Sequence, residues 1–139
     1  SEIGKVNSKV YINELLTNLK IIGNCSSREF TIEHTMEDIY LPYGKAMALG
    51  LIVNELFINS IKHAKSNSKK LIIKISYYLN EIDEASLVYF DNGLLDNDAI
   101  QLNHQSLGFE LIHALTEQLH GKIHYKVDGG LSWYIIHKI

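Results

Sequence analysis

The stretch "GLIVNELFINSIKHA", residues 50–64, decides how the rest of the chain is read. Its length and apolar spacing predict a helix from about Lys45 to Ala64. Leu49, Val53, Leu56, Phe57 and Ile61 recur at helical intervals and form a core stripe. Glu55, Asn59 and Lys62 are spaced by four and three residues. On a 3.6-residue turn they fall within about 40° of one another, with His63 beside them. A carboxylate, an amide oxygen and a cation in one row can act as a base, a metal ligand and a phosphate partner. The same row also suits a solvated helix face, where spaced charged pairs contribute about 0.2–0.5 kcal/mol each. The flanking sequence has to decide between the two.

Upstream, "SKVYINELLTNLK" places Val10, Ile12, Leu15, Leu16 and Leu19 at helical spacing over residues 8–20, with Ser8 as a cap. Phe30, Ile32 and His34 alternate with Thr31 and Glu33, which predicts an extended segment over residues 29–41. Leu41-Pro42 ends it, because a residue before proline avoids helix. Downstream, "KLIIKISYYLN" puts Leu71, Ile73, Ile75 and Tyr77 on one face of a strand. "NEIDEA" is a turn, and "SLVYFDNG" is the partner strand. Residues 92–106 carry no period and read as a loop or short helix. "LGFELIHALTEQLH" is a helix with Gly121 as its stop, and "KIHYKV", "DGG" and "LSWYIIHKI" form a closing hairpin. This order predicts an α+β two-layer sandwich, a mixed and mostly antiparallel sheet covered on one face by helices. It is not a repeated βαβ pattern, so a Rossmann fold is not expected.

Composition limits the choice of function. The chain has 139 residues, enough for one domain and its core, so residues 1–139 are expected to form a single unit. Hydrophobic residues make up 46% and charged residues 21%, which excludes a disordered chain. A net charge of −3 offers no basic field, and no nucleic-acid partner is expected. The lone Cys25 permits no internal disulfide and fits a reducing, cytoplasmic setting. Asn54 and Glu55 interrupt the longest apolar run, which is too short to cross a bilayer, and no membrane contact by residues 1–139 is expected. The opening "SEIGKVNSK" reads as the cut edge of a longer protein.

Two further stretches bear on the helical row. In "VYFDNG", Asp91 ends an apolar strand before a flexible Asn-Gly. A carboxylate there can accept a hydrogen bond from the exocyclic amine of adenine and repel the carbonyl of guanine. Gly93 has no side chain to hold the backbone off a flat ring. The same three residues also make an ordinary turn. In "SLGFELIHALTEQLHG", Gly108 at a helix start lets backbone N–H groups reach phosphate oxygens, although a glycine there needs no ligand. The hairpin "DGGLSW" is explained by structural duty alone.

Taken together, "NELFINSIKHA", "DNG" and "SLGFELIHALTEQLHGKI" resemble the N, G1 and G2 boxes of the GHKL ATP-binding fold (the Bergerat fold). That fold is shared by gyrase, the ninety-kilodalton heat-shock chaperones, MutL and histidine kinases. The "NELxxNxxKHA" pattern with its following helix is most similar to the catalytic domains of HWE-type histidine kinases. "YINELLTNL" resembles the segment that leads into such a domain, so residues 1–20 are expected to be a lead-in helix from an upstream dimerisation region. The resemblance covers nearly the whole chain in the same order.

The resemblance implies ATP and Mg²⁺ as cofactors and assigns roles. Asn59 is implied as the Mg²⁺ ligand and Glu55 as the base. Lys62 and His63 are implied on the phosphate and sugar side, and Asp91 and Gly93 at adenine. Residues 94–106 correspond to the lid, closed by Ser106, Leu107 and Gly108. The implied partners are a phosphoacceptor-histidine dimerisation domain of the same protein and a response regulator. None of the chain's own histidines, His34, His63, His104, His113, His120, His124 or His137, has the sequence context of a phosphoacceptor hairpin. Leu95 replaces the second glycine of the usual G1 pattern, and Ser106 replaces a G2 glycine. Both changes imply a stiffer lid with fewer free backbone donors. The same fold would also serve a nucleotide-binding or docking module with little turnover, or an anti-sigma-type serine kinase.

Overall fold

The computed structural model describes residues 3–63, 70–93 and 107–139. Its elements are β1 (Lys5–Asn7), α1 (Ser8–Asn24), β2 (Phe30–Met36), β3 (Tyr40–Pro42), α2 (Tyr43–His63), β4 (Leu71–Glu81), β5 (Glu84–Asp91), α3 (Leu107–Gln118), β6 (Gly121–Val127) and β7 (Leu131–Lys138). The main sheet has the order β2-β4-β5-β7-β6. β2 and β4 run parallel, with α2 as their connection, and every other pair in this sheet is antiparallel. The fold is α+β, with three helices among the described residues set against one face of a mixed, mostly antiparallel sheet.

Period-two alternation builds the inner face. Leu71, Ile73, Ile75 and Tyr77 on β4 are buried, as are Leu87 and Tyr89 on β5 and Leu131, Trp133 and Ile135 on β7. Against them lie Ile12, Leu16 and Leu19 of α1, Leu49, Ile52, Val53, Leu56 and Phe57 of α2, and Phe109, Ile112 and Leu115 of α3. α1 is therefore part of the core. The opposite sheet face pairs Ser76 with Val88, Val88 with Tyr134 and Tyr134 with His124 across successive strands.

Local chemistry moved several boundaries. Asn7, not Ser8, caps α1: its side-chain oxygen accepts from the Val10 N–H at 3.2 Å. Ser8 is instead the first helical residue, and its hydroxyl both donates to the Glu37 carbonyl and accepts from the Ile39 N–H. The extended segment after α1 divides into two strands. β2 joins the main sheet, whereas β3 pairs with β1 in a small antiparallel sheet of its own. Gly121 does not stop α3. His120 takes the left-handed conformation there (φ 55°), and Gly121 already begins β6. A side chain at Gly121 would run into the Ile136 carbonyl and His137 of β7.

Tyr77 and His137 form a polar pair inside the core. The Tyr77 hydroxyl lies 2.7 Å from Nε2 of His137, whose Nδ1 lies 2.7 Å from the Lys138 carbonyl. A carbonyl only accepts, so Nδ1 carries the proton, and in the neutral ring Nε2 accepts from Tyr77. Burial, with the nearby charge of Lys45, pushes the His137 pKa below its ordinary 6.5, more than its bond to the Lys138 carbonyl raises it.

Candidate functional site

β5 carries Asp91 to its last position, where alternation turns the side chain inward toward α2. The carboxylate is 5% exposed, so its partners decide its state. Oδ2 accepts from the Ser60 hydroxyl at 2.7 Å, and Oδ1 accepts from the Gly93 N–H at 3.0 Å. Ser60 Oγ is also 2.9 Å from the Tyr89 hydroxyl. Burial raises the Asp91 pKa, and the hydrogen bonds from Ser60 and Gly93, with the charge of Arg28, oppose that rise. Burial likewise drives the Tyr89 phenol well above its usual range, so Tyr89 stays a neutral donor.

Two devices hold this corner in place. The Asn92 side chain continues the pairing with the neighbouring strand after β5 ends: its oxygen accepts from the Ile72 N–H at 2.7 Å and its amide donates to the Lys70 carbonyl at 3.2 Å. The Asn-Gly read as flexible from the sequence is thus clamped at Asn92. On the other side, the β6–β7 turn packs Gly130 (φ +153°) against the backbone carbonyl of Asp91 and the Phe90 ring, leaving no room for a Cβ.

The helical row lies on the neighbouring surface of α2. Glu55 and Asn59 are half-buried and Lys62 is exposed, while Leu49, Val53, Leu56 and Phe57 are buried on the other side. Hydrogen bonds join Asp91 to Ser60 and Gly93; among the described residues none joins it to Glu55, Asn59 or Lys62. Asp91 is therefore tied to α2 through the residue directly after Asn59. Gly108 is half-buried in the first turn of α3, and α3 packs along α2. His63 ends α2 and Leu107 begins α3, with side chains outside the described residues. Ser106 and the lid expected over residues 94–106 also lie outside them.

Ser60, Tyr89 and Asn92 were not singled out in the sequence. A signal existed for Ser60. It falls four residues after Leu56 and three after Phe57, on the apolar stripe, and a buried hydroxyl there requires a partner.

The histidine kinase domain of the blue-light activated histidine kinase of Erythrobacter litoralis superposes with a TM-score of 0.83 at 16% identity, over 95% of this chain and 61% of that one. The chain has the fold of histidine kinase catalytic domains. The longer Erythrobacter litoralis kinase matches with a TM-score of 0.84 at 17% identity, over 95% of this chain, which spans 42% of that protein. The mycobacterial sensor histidine kinase MprB matches with a TM-score of 0.75 at 14% identity, over 96% of this chain and 97% of that one. The catalytic domain of histidine kinase ThkA, in a nucleotide-free form, gives 0.73 at 15% identity, over 96% and 93% of the two chains. No protein-family model matches the sequence, and no curated protein matches it significantly. In this histidine kinase fold no helix among the described residues is long and apolar enough to cross a membrane.

Proposed function

We propose that residues 1–139 form the ATP-binding catalytic domain of a two-component sensor histidine kinase. It would transfer the ATP γ-phosphoryl group to a histidine on a neighbouring dimerisation domain, for relay to a response regulator. The observation that carries this reading is the buried Asp91 carboxylate, held at the end of β5 and tied to α2 next to Asn59. A buried acceptor with spare lone pairs can take a hydrogen bond from the exocyclic amine of adenine, at the place where guanine presents a carbonyl. The fold likeness to histidine kinase catalytic domains supports the assignment.

Asn59 and Glu55 lie one helical turn apart on the half-buried flank of α2. Mg²⁺ takes few protein oxygens and keeps water and phosphate ligands, so a lone amide oxygen suits it better than a closed cage. Among the described residues no group of three His, Cys, Asp or Glu makes such a cage. When bound, the ion would neutralise phosphate charge, and positioning would supply most of the remaining catalysis. Glu55 would act as the base, Lys62 and His63 would face phosphate or sugar, and Ser106, Leu107 and Gly108 would close over the phosphates.

Leu95 in place of a lid glycine favours a second reading, a nucleotide-binding module with slow turnover. Titration with a non-hydrolysable ATP analogue, with and without Mg²⁺, tests both. Native chain is expected to bind only with the metal, and Asn59→Ala is expected to lose that binding while staying folded. Equal affinity in the variant would defeat the metal assignment. Phosphoryl transfer to a supplied dimerisation domain separates kinase from binding module.

A further inference from the structure

We infer that Ser60, ordered by Tyr89, is a positioning residue that sets the choice of base at Asp91. This rests on the nucleotide reading above and goes beyond it, by assigning base selectivity to a pair of hydroxyls on the core side of α2.

The direction of the hydrogens follows from valence. Ser60 has one O–H, and its bond to Asp91 Oδ2 at 2.7 Å uses it. Toward Tyr89, Ser60 can then only accept, so the Tyr89 hydroxyl donates across the 2.9 Å contact. The order is Tyr89 to Ser60 to Asp91, and it ends on a carboxylate that accepts only. Gly93 N–H fixes the other oxygen at 3.0 Å. Among the described residues each carboxylate oxygen has one donor, and the plane of the group is set from α2 on one side and from the chain just past β5 on the other.

This matters because a carboxyl group rotates easily about its terminal torsion. A buried carboxyl also gains from taking up a proton. A protonated or rotated Asp91 could donate to the carbonyl that guanine presents, and selectivity would disappear. Ser60 opposes both changes. Its hydroxyl supports the ionised form and holds one oxygen in place, and Tyr89 stops it from turning away. Arg28 favours the same ionised form from outside α2 and β5.

The test compares non-hydrolysable ATP and GTP analogues with Mg²⁺ by calorimetry on the native chain, Ser60→Ala, Ser60→Thr and Tyr89→Phe. Thermal unfolding checks that each variant folds. The native chain should favour the adenine analogue by about tenfold or more, as expected when one buried hydrogen bond is lost or reversed. Ser60→Ala should bring the two affinities close together, and Ser60→Thr, which keeps the hydroxyl, should restore the preference. Tyr89→Phe should lower the ratio by a smaller factor, and it carries the test if alanine at 60 prevents folding. Folded variants that keep the native ratio would overturn the inference and leave the nucleotide site intact. A native chain that binds neither analogue would overturn the nucleotide reading and this inference with it.

Discussion

The Ser60 hydroxyl donates to Asp91 Oδ2 at 2.7 Å and ties the last turn of α2 to the end of β5. The contact spans 31 residues of sequence and is buried. It makes the corner between helix and sheet a fixed distance rather than a loose cleft.

α1 belongs to the folding unit. Ile12 is fully buried, so Ile12→Ala should destabilise the chain by about 2–5 kcal/mol through lost burial and a residual cavity. Val10, on the same helix, is 55% exposed, and Val10→Ala should change stability by no more than about 0.5 kcal/mol. Urea unfolding of both variants checks the contrast. Equal effects would mean that α1 does not pack as described.

Stability should fall with pH below the ordinary histidine range. The folded pKa of His137 is depressed, so the unfolded chain binds the proton more readily. The stabilisation is full above the unfolded value of 6.5 and is lost as pH falls from there through the folded value. The double variant Tyr77→Phe/His137→Leu removes both polar partners, so neither is left buried and unpaired. Denaturant midpoints measured between pH 7.5 and pH 5 should decline less steeply in that variant than in the native chain, by roughly the proton uptake of one group. Identical slopes would refute the assignment.

The β6–β7 turn should tolerate change at one glycine and not at the next. Gly129 has φ +65° with open space around it, so Gly129→Asn should be mild. Gly130 lies at φ +153° against the Asp91 carbonyl and the Phe90 ring, so Gly130→Ala should destabilise by about 1–3 kcal/mol. It should also weaken nucleotide binding, because the backbone of Asp91 has to move. Unfolding and binding measurements on the two variants check both statements.

Much of this arrangement was legible in the residues. The alternation in β4 and the stripe Leu49, Val53, Leu56 and Phe57 each bury the face they predict, because a period repeated over several residues leaves one way to exclude water. β1 was not legible, and β3 ran into the same extended reading as β2: three-residue strands are too short to show a period, and their pairing depends on where α1 sits. Gly121 reads as the helix stop, but His120 takes the left-handed turn, and glycine at 121 answers the approach of β7 instead. The place of Asp91 at a strand end is legible in the sequence. The partner of Ser60 is not: its place on the apolar stripe flags a buried hydroxyl, and only β5 lying beside α2 shows what that hydroxyl bonds.

The central claim is that Asp91 reads an adenine nucleotide beside α2, and calorimetry with a non-hydrolysable ATP analogue and Mg²⁺ tests it most directly. The native chain is expected to give saturable binding, and Asp91→Asn is expected to lose at least about tenfold in affinity, roughly 1.4 kcal/mol. A native chain that does not bind, or a folded Asp91→Asn chain that binds as tightly, would contradict the account.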